Sequence, residues 1–253
     1  MEIPVHIAAV REEGALLAAA VAGADPDGTV PTCPEWTVRD LVRHIGGVHR
    51  WATGFVRGRT GPLDADLDEV VGTWPADAEL AAWLAQGCAD LVAALATAPD
   101  DLQCWTFLPA PSPRAMWARR QAHETAIHRV DAQLAVGHPV SPWAPAFAAD
   151  GVDELVSLFV PRRSTALRAD PPVTLAVDCT DVDASWLLCL DGHGVTTTRT
   201  AIDDAGGAAC TVRGQAGDLY LALWNRAGAD ELTITGDRAV LEQFSEGVRI
   251  RWS

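Results

Sequence analysis

The period of the apolar residues changes near Pro171, and this change constrains the possible folds more than any other feature of the chain. Before it, apolar residues recur every three or four positions over long stretches, which is the spacing of one buried helix face. After it, short segments alternate apolar and polar residues between Asp/Gly turns, which is the pattern of half-buried strands. The chain is therefore predicted to hold a helical domain over residues 1–165 and a smaller mixed α+β domain over residues 166–253.

The predicted helices of the first domain have recognisable ends. Thr37 precedes the second helix with Asp40 three residues later, which is a variant of the capping box. Gly137 and Pro139 stop the fourth helix. The predicted helices span residues 3–22, 38–57, 76–98, 114–136 and 144–160. In the second domain, strands are predicted at 173–177, 185–190, 195–199, 209–212, 232–235 and 248–252, and helices at 216–225 and 238–246.

Charge and composition exclude several classes of partner. The formal net charge of −15 argues against binding to nucleic acid or to an anionic membrane, because both need a basic surface. No unbroken apolar run reaches the length of a membrane span, and the N-terminus lacks the order of a signal peptide, so we expect a cytoplasmic protein. The six cysteines are scattered without a C-x-x-C pair, which indicates buried thiols in a reducing compartment.

The basic residues are all arginine. With nineteen arginines and no lysine, a Schiff-base mechanism is excluded, and any anionic substrate must be held by arginine, by the backbone or by a metal. This arginine-only, alanine-rich composition is also typical of a GC-rich actinobacterial genome.

A carboxylate and an imidazole lie four residues apart on the predicted fourth helix. Glu124 and His128 are about 40° apart around the helix axis and one turn apart along it, close enough to bind one ion. Asp131 continues the same stripe, where a carboxylate would orient His128 by accepting its other ring N–H. The spacing predicts a metal site that needs a third ligand.

The second helix offers two histidines as that ligand. His44 and His49 are about 140° apart around the axis, so only one can face the ion, and His44 lies on the inward stripe. His123 is excluded by the same angle from His128. The predicted ligands are His44, Glu124 and His128, and three N/O ligands with open positions are the pattern of a catalytic zinc. On spacing alone, a plain surface pair between Glu124 and His128 stays open.

Four segments resemble the mycothiol-dependent maleylpyruvate isomerase family of actinobacteria, a branch of the DinB-like four-helix proteins. They are residues 33–51 (CPEWTVRDLVRHIGGVHRW), 122–131 (AHETAIHRVD), 150–154 (DGVDE) and 217–226 (GDLYLALWNR). The resemblance implies a DinB-like four-helix bundle followed by a sterol-carrier-like C-terminal domain. Glu35 and Val130 depart from the family pattern, in which glycine and an aromatic residue are common there, but neither is a predicted ligand.

The resemblance also implies chemistry. In the family, a divalent metal, zinc in the type enzyme, is held by residues that correspond to His44, Glu124 and His128, and mycothiol is the cosubstrate. Coordination to a divalent cation deprotonates a thiol near neutral pH. We therefore expect an isomerase or S-transferase acting on a small electrophile such as maleylpyruvate. A metal-dependent hydrolase and a non-catalytic binding protein on the same scaffold remain alternatives.

Two arginines are candidates for binding an anionic group of the substrate. Arg226 resembles the arginine that closes the Leu-Trp motif of the family's second domain, and a surface ion pair is the alternative. Arg120 lies one turn before Glu124, and an i,i+4 ion pair with Glu124 would explain it equally well.

Overall fold

Long helices dominate the first part of the chain, as the apolar period predicted. The computed structural model describes residues 1–59, 66–162, 165–200 and 207–248. In chain order, the elements up to residue 141 are α1 (Ile3–Val21), β1 (Thr29–Val30), β2 (Cys33–Thr37), α2 (Val38–Val56), α3 (Leu67–Val71), a 3₁₀ turn (Asp77–Glu79), α4 (Leu80–Thr97) and α5 (Pro113–Ala135). Helices α1, α2, α4 and α5 pack on one another as a four-helix bundle.

The start of α2 is fixed by the predicted capping box. The Thr37 hydroxyl accepts a hydrogen bond from the Asp40 backbone N–H at 3.2 Å, and the Asp40 carboxylate accepts one from the Thr37 backbone N–H at 2.9 Å. The segment before it forms an antiparallel hairpin of β1 and β2. This hairpin packs against α2 and α5.

The most apolar helix of the bundle is α4. Together with its 3₁₀ turn it is long and apolar enough to cross a membrane by length and composition. Its Leu84, Leu91 and Leu95 are completely buried, however, and it packs against α1 and α2. These contacts are those of a core helix of the bundle.

The second part of the chain forms a five-stranded mixed sheet with helices. Its elements are α6 (Pro145–Asp153), a π-helical continuation (Glu154–Phe159), β3 (Val173–Cys179), β4 (Ser185–Leu190), β5 (Val195–Thr200), β6 (Cys210–Gly214), α7 (Ala216–Leu223), β7 (Thr233–Gly236) and α8 (Arg238–Gly247). The strand order is β5-β4-β3-β6-β7, with β3 and β6 parallel and the other pairs antiparallel. The predicted last strand, 248–252, lies outside the described residues after Val248.

One face of this sheet is apolar and buried. Val177, Trp186 and Val212 lie in one row across three strands and are fully buried. The Trp186 indole N–H donates to the Asp153 carboxylate at 2.8 Å, which ties β4 to the end of α6. The six cysteines are free thiols, as predicted, but only Cys88, Cys179 and Cys210 are buried, and the other three are partly exposed.

The division between the two compact units differs from the predicted one. The units are residues 1–141 and 142–253, whereas the boundary was predicted at residue 165. The difference is the helix predicted at 144–160, which corresponds to α6 and its π-helical continuation and packs against α7. A helical period shows that a helix has a buried face, but it does not show which core buries that face.

Candidate metal centre

Three potential metal ligands from two helices meet inside the bundle. His44 comes from α2, and Glu124 and His128 come from α5. Glu124 Oε1 lies 3.3 Å from His44 Nε2 and 3.2 Å from His128 Nε2, and one ligand atom from each residue lies within 4.8 Å of the other two. The structure brings together the three residues that the sequence predicted as ligands.

The packing of α2 against α5 produces this meeting. One turn of helix separates Glu124 from His128, so both point the same way from α5. Seven residues after His44, Trp51 contacts Trp117, which lies seven residues before Glu124, with ring centroids 5.1 Å apart. A step of seven residues toward the C-terminus of α2 thus matches a step of seven residues toward the N-terminus of α5. The two helices therefore run antiparallel along one continuous contact face. The predicted metal ligands occupy that face two turns from the aromatic pair.

The three side chains are nearly removed from solvent. The exposed fractions of the side chains are 10% for His44, 5% for Glu124 and 7% for His128. The surface pair that spacing alone left open does not describe this geometry, because a solvated helix face would leave both side chains exposed. A buried carboxylate and two buried imidazoles need compensating partners.

Arg120 compensates the charge of Glu124. Its Nη2 donates to Glu124 Oε2 at 2.5 Å, and its side chain is only 1% exposed. Burial by itself would raise the pKa of Glu124, but Arg120 and the hydrogen bonds with His128 and His44 outweigh it and hold that pKa well below its usual range. Glu124 is therefore an anion at neutral pH, with Oε2 engaged by arginine and Oε1 facing the two imidazoles.

Asp131 sets the orientation of the His128 ring. Its Oδ2 accepts a hydrogen bond from His128 Nδ1 at 2.9 Å, and Asp131 is completely buried. Because the carboxylate accepts from Nδ1, Nε2 is the nitrogen that faces Glu124 and that could bind a metal after losing its proton. Burial lowers the pKa of His128, but the bonds to Asp131 and Glu124 dominate, and the net pKa is raised. This arrangement is the one expected for a metal-binding histidine and its orienting carboxylate.

The donor set fits a divalent metal. Two ligands at 2.0–2.1 Å from one tetrahedral ion lie about 3.3 Å apart, and both His-to-Glu124 separations are close to that value. Burial lowers the pKa of His44 despite the opposing effect of Glu124, so its ring is neutral and can offer a lone pair at neutral pH. Two imidazoles and one carboxylate suit zinc and several other borderline ions, and His128 would release its proton when a metal binds.

The two excluded histidines have other surroundings. His49 is completely buried and its Nε2 lies 2.9 Å from the Thr125 hydroxyl. His123 is also buried, and its ring meets that of His6 edge-on at 6.0 Å within the bundle. Neither belongs to the group formed by His44, Glu124 and His128, as the angular argument predicted.

The two arginines predicted to bind an anionic group differ in their contacts. Arg120 forms the i,i+4 ion pair with Glu124 that was its alternative explanation. Arg226 lies in the second unit, just after α7, where its Nη1 donates to the Trp224 carbonyl at 2.9 Å and its side chain is partly exposed. Anion binding by either residue stays a prediction.

Two residues near the ligands were not singled out from the sequence. The Thr32 hydroxyl donates to Asp131 Oδ1 at 2.5 Å, and the Trp36 ring lies 4.8 Å from the His44 ring and 5.9 Å from that of His128. Both residues belong to the hairpin before α2. Trp36 lies within segment 33–51, which carries the family resemblance, whereas no helical or strand period links Thr32 to α5.

Family models match both parts of the chain. Residues 7–133 match the model of the mycothiol maleylpyruvate isomerase N-terminal domain, and residues 146–243 match the model of the C-terminal domain of the same family. The gap between the two matches contains the division between the two compact units. A search of curated proteins finds no significant match.

Solved structures with the same fold include two crystal structures of the mycothiol-dependent maleylpyruvate isomerase. One is of a histidine-to-alanine mutant, with a TM-score of 0.63, and the other is titled without a substitution, with a TM-score of 0.62. Each is 13% identical to the chain, and each alignment covers 93% of both chains. At this identity the similarity establishes a common fold over nearly the whole length.

Proposed function

Because this chain belongs to the mycothiol-dependent maleylpyruvate isomerase family, with matches to both of its domain models, we propose that it is a mycothiol-dependent isomerase that requires a divalent metal. The observation that carries the metal requirement is the buried group of His44, Glu124 and His128, with ligand atoms within 4.8 Å of one another. Zinc is the metal we propose, because two histidines and one carboxylate with open positions are a known ligand set of catalytic zinc sites.

Each component supplies a distinct part of the chemistry. A divalent metal at this site would lower the pKa of a coordinated thiol so that it is ionised near neutral pH. A thiol such as mycothiol supplies a nucleophile that adds reversibly to the double bond of a cis enedione, and the resulting single bond can rotate before the thiol leaves. Transfer of the thiol to the electrophile, without its release, is the related reaction of an S-transferase.

The residues of the chain prepare the site for this chemistry. His44 offers a neutral nitrogen ligand, and His128 would offer one after releasing its proton to solvent. Glu124 offers one anionic oxygen while Arg120 holds the other. Two neutral ligands and one anion leave a divalent ion with a net positive charge, which favours binding of a thiolate. Arg226 is our candidate for holding a carboxylate of the substrate, because a guanidinium can bind a carboxylate through two parallel hydrogen bonds.

The partners follow from this proposal. We expect a low-molecular-weight thiol and a small electrophile as the partners in the reaction. The net charge of −15 argues against nucleic acids and anionic membranes, and a location in the cytoplasm remains a prediction from the sequence.

Metal analysis combined with an isomerisation assay tests the proposal. Purified wild-type protein should contain about one divalent metal per chain and convert maleylpyruvate to its trans isomer only when both metal and mycothiol are present. His44→Ala should lose most of the metal and the activity, whereas His138→Ala, at an exposed histidine, should keep both. Stoichiometric metal in His44→Ala would contradict the ligand assignment, and hydrolysis of a substrate without thiol would favour a hydrolase.

A further inference from the structure

The turn of the β1–β2 hairpin touches the support of the metal ligands. Thr32 lies in this turn, and its hydroxyl donates to Asp131 Oδ1 at 2.5 Å, across 99 residues of sequence. The other oxygen of Asp131 accepts from His128 Nδ1 at 2.9 Å. A continuous chain of hydrogen bonds therefore runs from the hairpin through Asp131 to a predicted metal ligand.

The hydroxyl of Thr32 constrains how Asp131 can be oriented. A carboxylate on a short side chain can rotate about its last bond, and this rotation would swing Oδ2 away from the His128 ring. Holding Oδ1 in place restricts that rotation, because both oxygens belong to one rigid plane. Asp131 is completely buried, so water cannot replace the threonine hydroxyl without rearrangement of the site.

A second contact joins the hairpin to the rings of the two predicted histidine ligands. Trp36, in β2, places its ring over His44 at 4.8 Å and nearly parallel to His128 at 5.9 Å, with an angle of 27° between the latter planes. The hairpin thus contacts the ligand rings directly through Trp36 and one of them indirectly through Thr32.

We propose that Thr32 is a positioning residue of the metal site, which acts through Asp131 to fix the ring of His128. The inference rests on the proposed metal site and deepens it, since it adds to the helical ligands a residue from a different element. Orienting partners of metal-bound histidines change metal affinity by about 10- to 100-fold when they are removed.

The affinity of the protein for zinc, measured by competition with a chromophoric chelator, is the appropriate readout. Thr32→Val and Thr32→Ala remove the hydroxyl and should raise the dissociation constant for zinc about tenfold. Thr32→Ser keeps the hydroxyl and should remain within about twofold of wild type. Thr97→Val removes a threonine hydroxyl that bonds only to carbonyls of its own helix in the part of the chain that the structure describes, and it should leave zinc affinity unchanged.

A double-mutant cycle shows whether Thr32 acts through Asp131. Asp131→Asn should weaken zinc binding by about 10- to 100-fold, and adding Thr32→Val to it should weaken binding by much less than tenfold. The d–d absorption of cobalt bound in place of zinc should change in Thr32→Val and return in Thr32→Ser. The unfolding midpoint of the metal-free variants separates a change of the site from a general loss of stability.

Distinct outcomes contradict the inference and the proposed function. If wild type binds zinc and the two hydroxyl-free variants bind it as tightly, Thr32 has no positioning role. If the effects of Thr32→Val and Asp131→Asn multiply fully, Thr32 does not act through Asp131. If wild-type protein binds no zinc, the metal site itself is refuted, and the role of Thr32 with it.

Discussion

Glu124 and Arg120 show how a charged ligand is kept inside the bundle. A buried carboxylate costs several kcal/mol unless a partner of opposite charge compensates it. Arg120 is one helical turn away, is almost fully buried and binds the oxygen that does not face the imidazoles. Because of this pair, Glu124 is already ionised in the metal-free protein.

Removal of Arg120 should destabilise the metal-free protein strongly. We expect Arg120→Gln to reduce the free energy of unfolding by about 3 to 5 kcal/mol, because Glu124 would be left as an uncompensated buried charge. The matched control is Arg238→Gln, which breaks the exposed i,i+4 pair with Glu242 and should cost less than about 0.5 kcal/mol. Urea denaturation measures both, and equal losses would show that Arg120 has no special role at Glu124.

His49 should make stability depend on pH. Burial lowers the pKa of its imidazole from 6.5 to about 3. Between these values the unfolded chain binds a proton that the folded chain excludes, so this histidine's contribution to stability is lost as the pH falls below about 6.5. The loss at pH 5 should be about 2 kcal/mol relative to neutral pH. Urea denaturation of the metal-free protein measures this fall in the free energy of unfolding between pH 7 and pH 5. The fall should be smaller in His49→Gln than in wild type, and it should equal that of wild type in His138→Gln, which changes an exposed histidine.

At the scale of elements, close helix contacts fix the position of α2. A Cβ atom on Gly46 would lie 2.1 Å from the ring of Trp83 on α4, so this crossing requires a glycine. The same Trp83 ring also contacts Arg50 of α2, whose guanidinium lies 3.7 Å from the ring centroid. Because His44 lies two residues before Gly46, the same contact determines where α2 presents its metal ligand.

Gly46→Ala should therefore destabilise the protein, although alanine is the better helix former. We expect a loss of about 1 to 3 kcal/mol from overpacking, which exceeds the gain in helix propensity. Gly217→Ala is the control, because a Cβ atom there meets nothing within 4 Å, and this change in α7 should be neutral or stabilising by up to about 1 kcal/mol. A higher melting temperature for Gly46→Ala than for wild type would contradict the close-contact argument.

How far the elements and the site could be predicted depends on the range of the interactions involved. The helices and strands could be predicted because their apolar residues recur at a local, regular spacing. The Glu124–His128 pair and the capping box at Thr37 could be predicted because their residues lie a fixed few positions apart. His44 and His49 lie about 140° apart on α2, so local geometry shows that only one of them can face the ion. His49 is fully buried and His44 nearly so, however, and burial alone would not select His44. The contact of Thr32 with Asp131 and the packing of α6 on α7 join segments distant in sequence, and no local pattern encodes such pairings.

At the scale of the whole molecule, the residues of the proposed metal site all lie in one compact unit. His44, Glu124 and His128, and also Arg120 and Asp131, are within residues 1–141. Arg226, our candidate for binding a substrate carboxylate, lies in the second unit, and a local arginine would offset the repulsion of an anionic substrate by the net charge of −15. Metal binding and substrate binding should therefore be separable.

The separation can be tested first in the full-length chain. Arg226→Lys should leave zinc content unchanged but should lower kcat/KM for an anionic electrophile by the equivalent of about 1 to 3 kcal/mol, because lysine keeps the charge and loses the paired hydrogen bonds. A neutral electrophile measured in parallel should show little change. Equal losses for the two electrophiles would remove Arg226 from the carboxylate-binding role.

A fragment of residues 1–141 tests the same separation more severely. It contains the whole four-helix bundle and the β1–β2 hairpin, so we expect a helical circular dichroism spectrum and about one bound zinc per chain. Without Arg226 it should show no isomerisation with mycothiol and maleylpyruvate. A folded fragment that binds no zinc would show that the ligands depend on the second unit, and a fragment with full activity would show that the second unit takes no part in the reaction.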